Sequence, residues 1–199
     1  MPHGKRTRGF YDRSADKLFR LSRSRLDLFL KCQQCFYIDR DLGIDRPPGY
    51  PFSLNDAVDA LVKKEMDHYR ELQQPHPEMV KAGLGHLVPF KHADLEKWRN
   101  SLSQGIEYEV PGTNFIFTGG IDDLWHDPKT GEIFVVDTKA TSTSKEGGVT
   151  LDDPWKLQYK QQVEMYQWLF RKNGFKVSNT AYFFYCNALK SEERFDGVL

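Results

Sequence analysis

A mixed α/β fold, with helices flanking a central sheet, is what the order of residues predicts. Three observations carry it. Apolar residues recur at helical intervals in two stretches between residues 22 and 72. Between residues 106 and 139, β-branched and aromatic runs are separated by turn sequences, and a strand, helix and strand follow one another to residue 186. A chain of 199 residues can bury one sizeable core and is short for two. The expected organisation is a basic N-terminal arm over residues 1–20 and a single domain over 21–199.

Lys plus Arg number 28 and Asp plus Glu 28, which excludes a global positive field of the kind that coats nucleic acid without regard to site. The excess is local. Lys5, Arg6, Arg8, Arg13, Lys17, Arg20, Arg23 and Arg25 face only Asp12 and Asp16 in the first 25 residues. That composition suits either a phosphate-binding arm or a solvated terminus.

Ser22 and Ser24 precede an amphipathic run whose Leu26, Phe29, Leu30, Phe36 and Tyr37 are available for a buried face, so a capped helix is predicted there. It ends before residues 43–52, where Pro47, Pro48, Gly49 and Pro51 dictate an irregular connection. Ser53 and Asp56 have capping-box spacing. Leu54, Val58, Leu61, Val62, Met66 and Tyr69 then recur at helical intervals, predicting a helix from 53 to about 72. Residues 73–91, rich in His, Pro and Gly, read as loop, and a short helix around Ala93–Asn100 carries Leu95 and Trp98.

Residues 106–110, 114–125 and 132–139 are predicted strands. Pro111-Gly112 separates the first two and a turn at 127–131 the last two, giving a three-stranded antiparallel meander. After a polar stretch from Thr141 to Thr150, a helix is predicted from Pro154 to Lys172, stopped by Asn173-Gly174. Residues 181–186 close as a strand. A strand, crossover helix and strand return in parallel, so this last strand is expected beside the meander.

The hairpin from residue 119 to 139 carries the chemistry. With the turn centred between Lys129 and Thr130, Asp122 falls opposite Asp137. Directly opposed side chains on antiparallel strands lie roughly 5 Å apart, where like charges repel unless neutralised. Lys139 follows Asp137 by two and shares its face. Two carboxylates and an ammonium thus converge, a donor set suited to Mg²⁺ or Mn²⁺. The plainer alternative is an Asp–Lys pair at a strand end with Asp122 solvated at the rim, and a bulge would carry Asp122 to the other face. Against it, Asp137 follows Ile133-Phe134-Val135-Val136, a run suited to a buried strand where an unpaired carboxylate is costly. On the next helix, Trp155, Tyr159, Gln162, Tyr166 and Leu169 step by four, three, four and three. Gln162 therefore sits in an otherwise apolar or aromatic stripe and needs a partner, in the site or on the backbone.

Gly119-Gly120-Ile121-Asp122, Val135-Val136-Asp137-Thr138-Lys139 and Gln162-Val163-Glu164-Met165-Tyr166 resemble the three successive motifs of RecB-like nucleases of the PD-(D/E)XK superfamily. Leu21-Ser22-Arg23-Ser24 through Cys32-Gln33-Gln34-Cys35-Phe36-Tyr37 resembles the helix that opens such domains. The resemblance implies a restriction-endonuclease-like core and a Mg²⁺- or Mn²⁺-dependent deoxyribonuclease. Asp122, Asp137 and Lys139 would be catalytic, with Asp122, Asp137 and the Thr138 backbone carbonyl as metal ligands. Gln162 and Tyr166 would orient the site or the substrate strand, and Arg23 and Arg25 would contact DNA. Single-stranded DNA or duplex ends are the implied substrates, in repair, recombination or defence, with a helicase or repair protein as a possible partner.

Two features depart from that pattern. Asp59 stands where many relatives place a metal-binding His, with Lys63 near where an acid is expected, so Asp59 is either a harder ligand or a surface residue. Only Cys32, Cys35 and Cys186 are present, so a four-thiolate iron–sulfur cluster cannot be completed from this chain, and buried thiols on a helix and a strand are expected instead. An odd cysteine count argues against a disulfide framework. No stretch reaches the roughly 18 apolar residues of a membrane span, and a soluble, cytoplasmic protein is expected. Phe195 to Leu199 could begin a further strand belonging to a missing C-terminal segment. The rival expectation is a catalytically inactive nuclease-fold module for nucleic-acid binding or assembly, favoured by Asp59 and by the neutral overall charge.

Overall fold

The computed structural model describes residues 9–12, 14, 17–44, 46, 47, 49, 53–142 and 149–188. Lys5, Arg6, Arg8 and Arg13 of the basic arm, the closing Phe195–Leu199 and the side chain of Trp155 lie outside the described residues. The fold is mixed α/β, and the chain divides into two compact units, residues 1–51 with 107–119, and residues 52–106 with 120–199.

In the first unit, β1 (Phe19–Ser22) leads directly into α1 (Arg23–Lys31) and α2 (Gln33–Arg40). β1 runs parallel to β4 (Phe115–Gly119), pairing Phe19 with Phe115 and Ser22 with Thr118, and the sheet order is β1-β4-β3, where β3 is Ile106–Glu109. The single helix predicted after Ser22 is interrupted at Cys32, whose backbone is extended at φ −158° and ψ 93°. The break redirects the apolar face. Leu28 is buried, whereas Phe29, Leu30 and Tyr37, expected inside, are exposed. Phe29 and Phe36 instead meet edge to face at 5.3 Å.

The second unit holds α3 (Ser53–Leu72), α4 (Pro77–Lys81), β2 (Val88–Pro89), α5 (Leu95–Arg99), β5 (Asp123–His126), β6 (Ile133–Thr141), α6 (Leu157–Lys172) and β7 (Tyr182–Asn187). Its sheet has the order β2-β5-β6-β7. β5 and β6 are antiparallel, and β6 and β7 are parallel across the connection that contains α6, as expected. The stretch read as loop from 73 to 91 contains α4 and β2. Pro89 is tolerated because β2 ends the described strand order and a proline costs no ladder bond there.

The meander expected over residues 106–139 is divided between the two sheets. β3 and β4 belong to one, β5 and β6 to the other, because residues 120–122 leave the ladder and turn onto α5. Ile121 donates its amide hydrogen to the Trp98 carbonyl at 3.1 Å. At Gly120 the approach is closer still: a Cβ there would meet the Ser101 Cα at 2.6 Å, so only glycine lets the backbones pass.

The core on one face of the second sheet gathers Met66 and Met79 with Leu87, Trp125, Phe134 and Val136. Leu169 and Phe170 of α6, with Leu124 and Val135, are fully buried. The periodicity of α3 located the helix and part of its buried side. Met66 is in the core with Val62 packed against it, whereas Leu54 and Leu61 are exposed and Arg70, one turn after Met66, is buried. Among the described residues no helix is long and apolar enough to cross a membrane.

Candidate active site

The pairing Asp123–Val136, Leu124–Val135, Trp125–Phe134 and His126–Ile133 is the register expected from a turn centred between Lys129 and Thr130. The described ladder ends at Asp123, one residue short of Asp122. Alternation along β6 sends Phe134 and Val136 into the Met66 cluster and Val135, Asp137 and Lys139 to the other face.

Asp137 is 1 % exposed. Its Oδ1 accepts a hydrogen bond from Gln162 Nε2 of α6 at 2.8 Å, and its Oδ2 is ion-paired with Lys139 Nζ. Gln162 Nε2 also reaches the Tyr166 hydroxyl at 3.3 Å, so the helix stripe read from the sequence delivers its polar member to the carboxylate. Tyr166 is buried. Its hydroxyl meets Gln162. Lys139 Nζ lies 3.4 Å from the Thr138 carbonyl and 4.9 Å from the centre of the Tyr159 ring.

Asp122 stands just before β5. Its Oδ2 accepts the amide hydrogen of Thr138 at 2.8 Å, and its Oδ1 is 3.8 Å from Lys63 Nζ. Burial, then the charge of Asp137, pushes its carboxyl up to about 7, with Asp59 adding to the rise and Lys63 and the Thr138 amide opposing it. Asp59 enters through Lys63, whose Nζ donates to Asp59 Oδ2 at 2.6 Å. The remaining Asp59 oxygen is buried and has no hydrogen-bond partner among the described residues.

Sequence reasoning missed the support beneath Asp122. Asp123, on the opposite face of β5, is 3 % exposed and paired with Arg70 and Arg99, the latter at 3.1 Å. Arg99 also donates Nε to the Asp122 carbonyl at 3.2 Å and Nη1 to both oxygens of Asp67 at 2.9 Å. The available signal was the Asp122-Asp123 doublet itself: adjacent strand residues face opposite ways, so one of the acids had to find a cation inside. Arg70, one turn after Met66, was that cation.

Arg23 and Arg25 are on α1 in the first unit. Arg25 Nη1 is held 2.9 Å from the buried Asp39 Oδ2, which Arg40 also binds. All three cysteines are free and only half-buried, which corrects the expectation of buried thiols.

Among the described residues no three His, Cys, Asp or Glu side chains gather as a metal-binding group, and the oxygen atoms the site could offer an ion are those of Asp122, Asp137 and the Thr138 carbonyl. That set still fits a small hard dication, which keeps several of its waters. Two neighbouring acids, one raised by burial and then by the other's charge, are what such an ion would relieve.

A family model described as the PD-(D/E)XK nuclease superfamily matches residues 20–197. No curated protein and no solved structure matches the chain.

Proposed function

Because the chain belongs to the PD-(D/E)XK nuclease superfamily, we propose that it is a deoxyribonuclease of RecB-like type that hydrolyses phosphodiester bonds with Mg²⁺ or Mn²⁺ at Asp122 and Asp137. The observation that carries this reading is the pair of neighbouring acids, Asp122 bonded to the Thr138 amide and the buried Asp137 paired with Lys139. Asp122, Asp137 and the Thr138 carbonyl would hold the ion, with Asp59 as a further acid behind Lys63. When bound, such an ion supplies Lewis-acid polarisation of the phosphoryl group and a more acidic water.

The remaining work falls to the chain. Lys139 orients the attacking water or balances charge developing on the phosphoryl oxygens. Gln162 fixes Asp137 by occupying Oδ1, and Tyr166 in turn holds Gln162. Such outer contacts typically govern metal affinity and rate about 10- to 100-fold.

A single-stranded end is the substrate we favour. Beside Asp137 and Lys139 in the β6–β7 register stand Phe183 and Tyr185, and Phe183 lies 6.3 Å from Tyr159 and 6.3 Å from Tyr185. Half-buried rings of this kind suit stacking by unpaired bases, each worth about 1–3 kcal/mol. Arg23 and Arg25 remain candidate phosphate contacts, and action alongside a helicase or repair protein in the cytoplasm is the expected setting.

The test is digestion of labelled single- and double-stranded DNA in Mg²⁺ or Mn²⁺ by the full chain and by Asp137→Ala. We expect metal-dependent cleavage, fastest on single strands or ends, that the substitution removes. Undiminished cleavage by Asp137→Ala would overturn the assignment.

One observation favours the second reading, an inactive nucleic-acid-binding module. Lys63 places an ammonium between Asp59 and Asp122, where a dication would otherwise act. Such a module would show no Mn²⁺-dependent rise in melting temperature.

A further inference from the structure

Cys32 and Cys35 mark the junction in the first unit where α1 stops and α2 begins. Cys32 is the N-cap of α2, and its Sγ accepts the amide hydrogen of Cys35 at 3.1 Å, so both side chains leave the same first turn. Unsatisfied amides and the positive end of the helix dipole favour negative charge on the capping atom. A sulfur in that place is held toward the thiolate, the form that attacks disulfides.

The two thiols are pushed in opposite directions. The Cys35 side chain, then its amide, hydrogen-bond to Cys32 and bring its thiol below the usual range, whereas serving as that donor raises Cys35. One sulfur is thus prepared to attack and the other to remain protonated until needed. Both are half-buried, so a small reagent can reach them. Cys186, on β7 in the second unit, has its thiol raised by burial and lacks this setting.

We propose that Cys32 and Cys35 form a thiol–disulfide couple, Cys32 attacking and Cys35 resolving, toward low-molecular-weight disulfides such as oxidised glutathione. In the first step Cys32 Sγ bonds to one glutathione sulfur and the other glutathione leaves as thiolate. Cys35 then loses its proton to solvent and attacks Cys32 Sγ, and the second glutathione leaves. Both leaving thiolates take up protons. Two protein thiols are oxidised and one glutathione disulfide is reduced to two thiols, so atoms and electrons balance. The couple is independent of the nuclease reading, because it needs neither Asp122 nor Asp137.

The experiment equilibrates the full chain with reduced and oxidised glutathione, quenches with acid, and reads mass and peptide position by mass spectrometry. The expected product is two hydrogens lighter, with the bond between Cys32 and Cys35 and Cys186 left reduced. Cys35→Ser should trap one glutathione on Cys32 at least about tenfold faster than Cys32→Ser traps one on Cys35. Serine preserves a capping oxygen at position 32, so that variant keeps its helix start. Thiols that stay free, adducts that never resolve into an internal bond, or equal trapping rates in the two variants would each overturn the proposal.

Discussion

Across the β5–β6 hairpin, the carboxylate of Asp122 accepts the backbone amide hydrogen of Thr138 at 2.8 Å, binding one acid of the site to the strand that carries the other. The bond holds Asp122 where Asp137 repels it. That conflict has measurable consequences.

With the carboxyl of Asp122 raised from its ordinary value to about 7, the folded state retains a proton that the unfolded chain releases above pH about 4. The contribution to stability is therefore complete below pH about 4 and is lost as pH rises toward 7. Asp122→Asn keeps an acceptor for Thr138 and removes the charge. In the metal-free protein at pH 8 it should melt higher than the parent by roughly 2–6 °C, the equivalent of about 1–2 kcal/mol after allowance for solvent. The gap should close by pH about 4. Mn²⁺ should then raise the parent and not the variant, all read by thermal melts across pH.

Arg70 and Arg99 both pair with the buried Asp123, and Arg99 also fastens the carbonyl of Asp122. Arg70→Met should cost about 3–5 kcal/mol in urea unfolding, because it leaves a buried carboxylate with one of its two cations. Asp123→Asn in the same background should recover part of that loss. An Arg70→Met protein as stable as the parent would show that Arg99 alone suffices for Asp123.

Lys63 opposes the rise of Asp122 and bonds Asp59. Lys63→Met should tighten Mn²⁺ binding by about three- to tenfold, the effect of removing a neighbouring positive charge of about 1 kcal/mol at a partly exposed site. Isothermal titration with Mn²⁺ reads it directly. Weaker binding in the variant would mean that Lys63 positions the acids more than it competes for them.

The hairpin was legible because its register follows from a turn and a period of two, both local. Ile133 to Val136 filled a buried strand, and that fixed the face of Asp137. What escaped was set by contacts distant in sequence. β1 is four residues long, carries Arg20, and exists through parallel pairing with β4 nearly a hundred positions away. Residues 120–122 read as strand by composition, yet the approach of Ser101 pulls them from the ladder. The break at Cys32 has neither proline nor glycine to announce it. A thiol capping its own helix supplies the stop, and with the break went the assignment of Phe29 and Leu30 to a core. Arg70 carries no local sign of its role, because nothing near it in sequence reveals that Asp123 waits inside the fold.

Lys63 and Lys139 already answer the acids, one from a helix and one from the strand that carries Asp137. Assembly of this pocket therefore need not wait for an ion. A chelator should silence the protein and leave it folded, so supply of metal would govern when it works and have little say in how much of it survives.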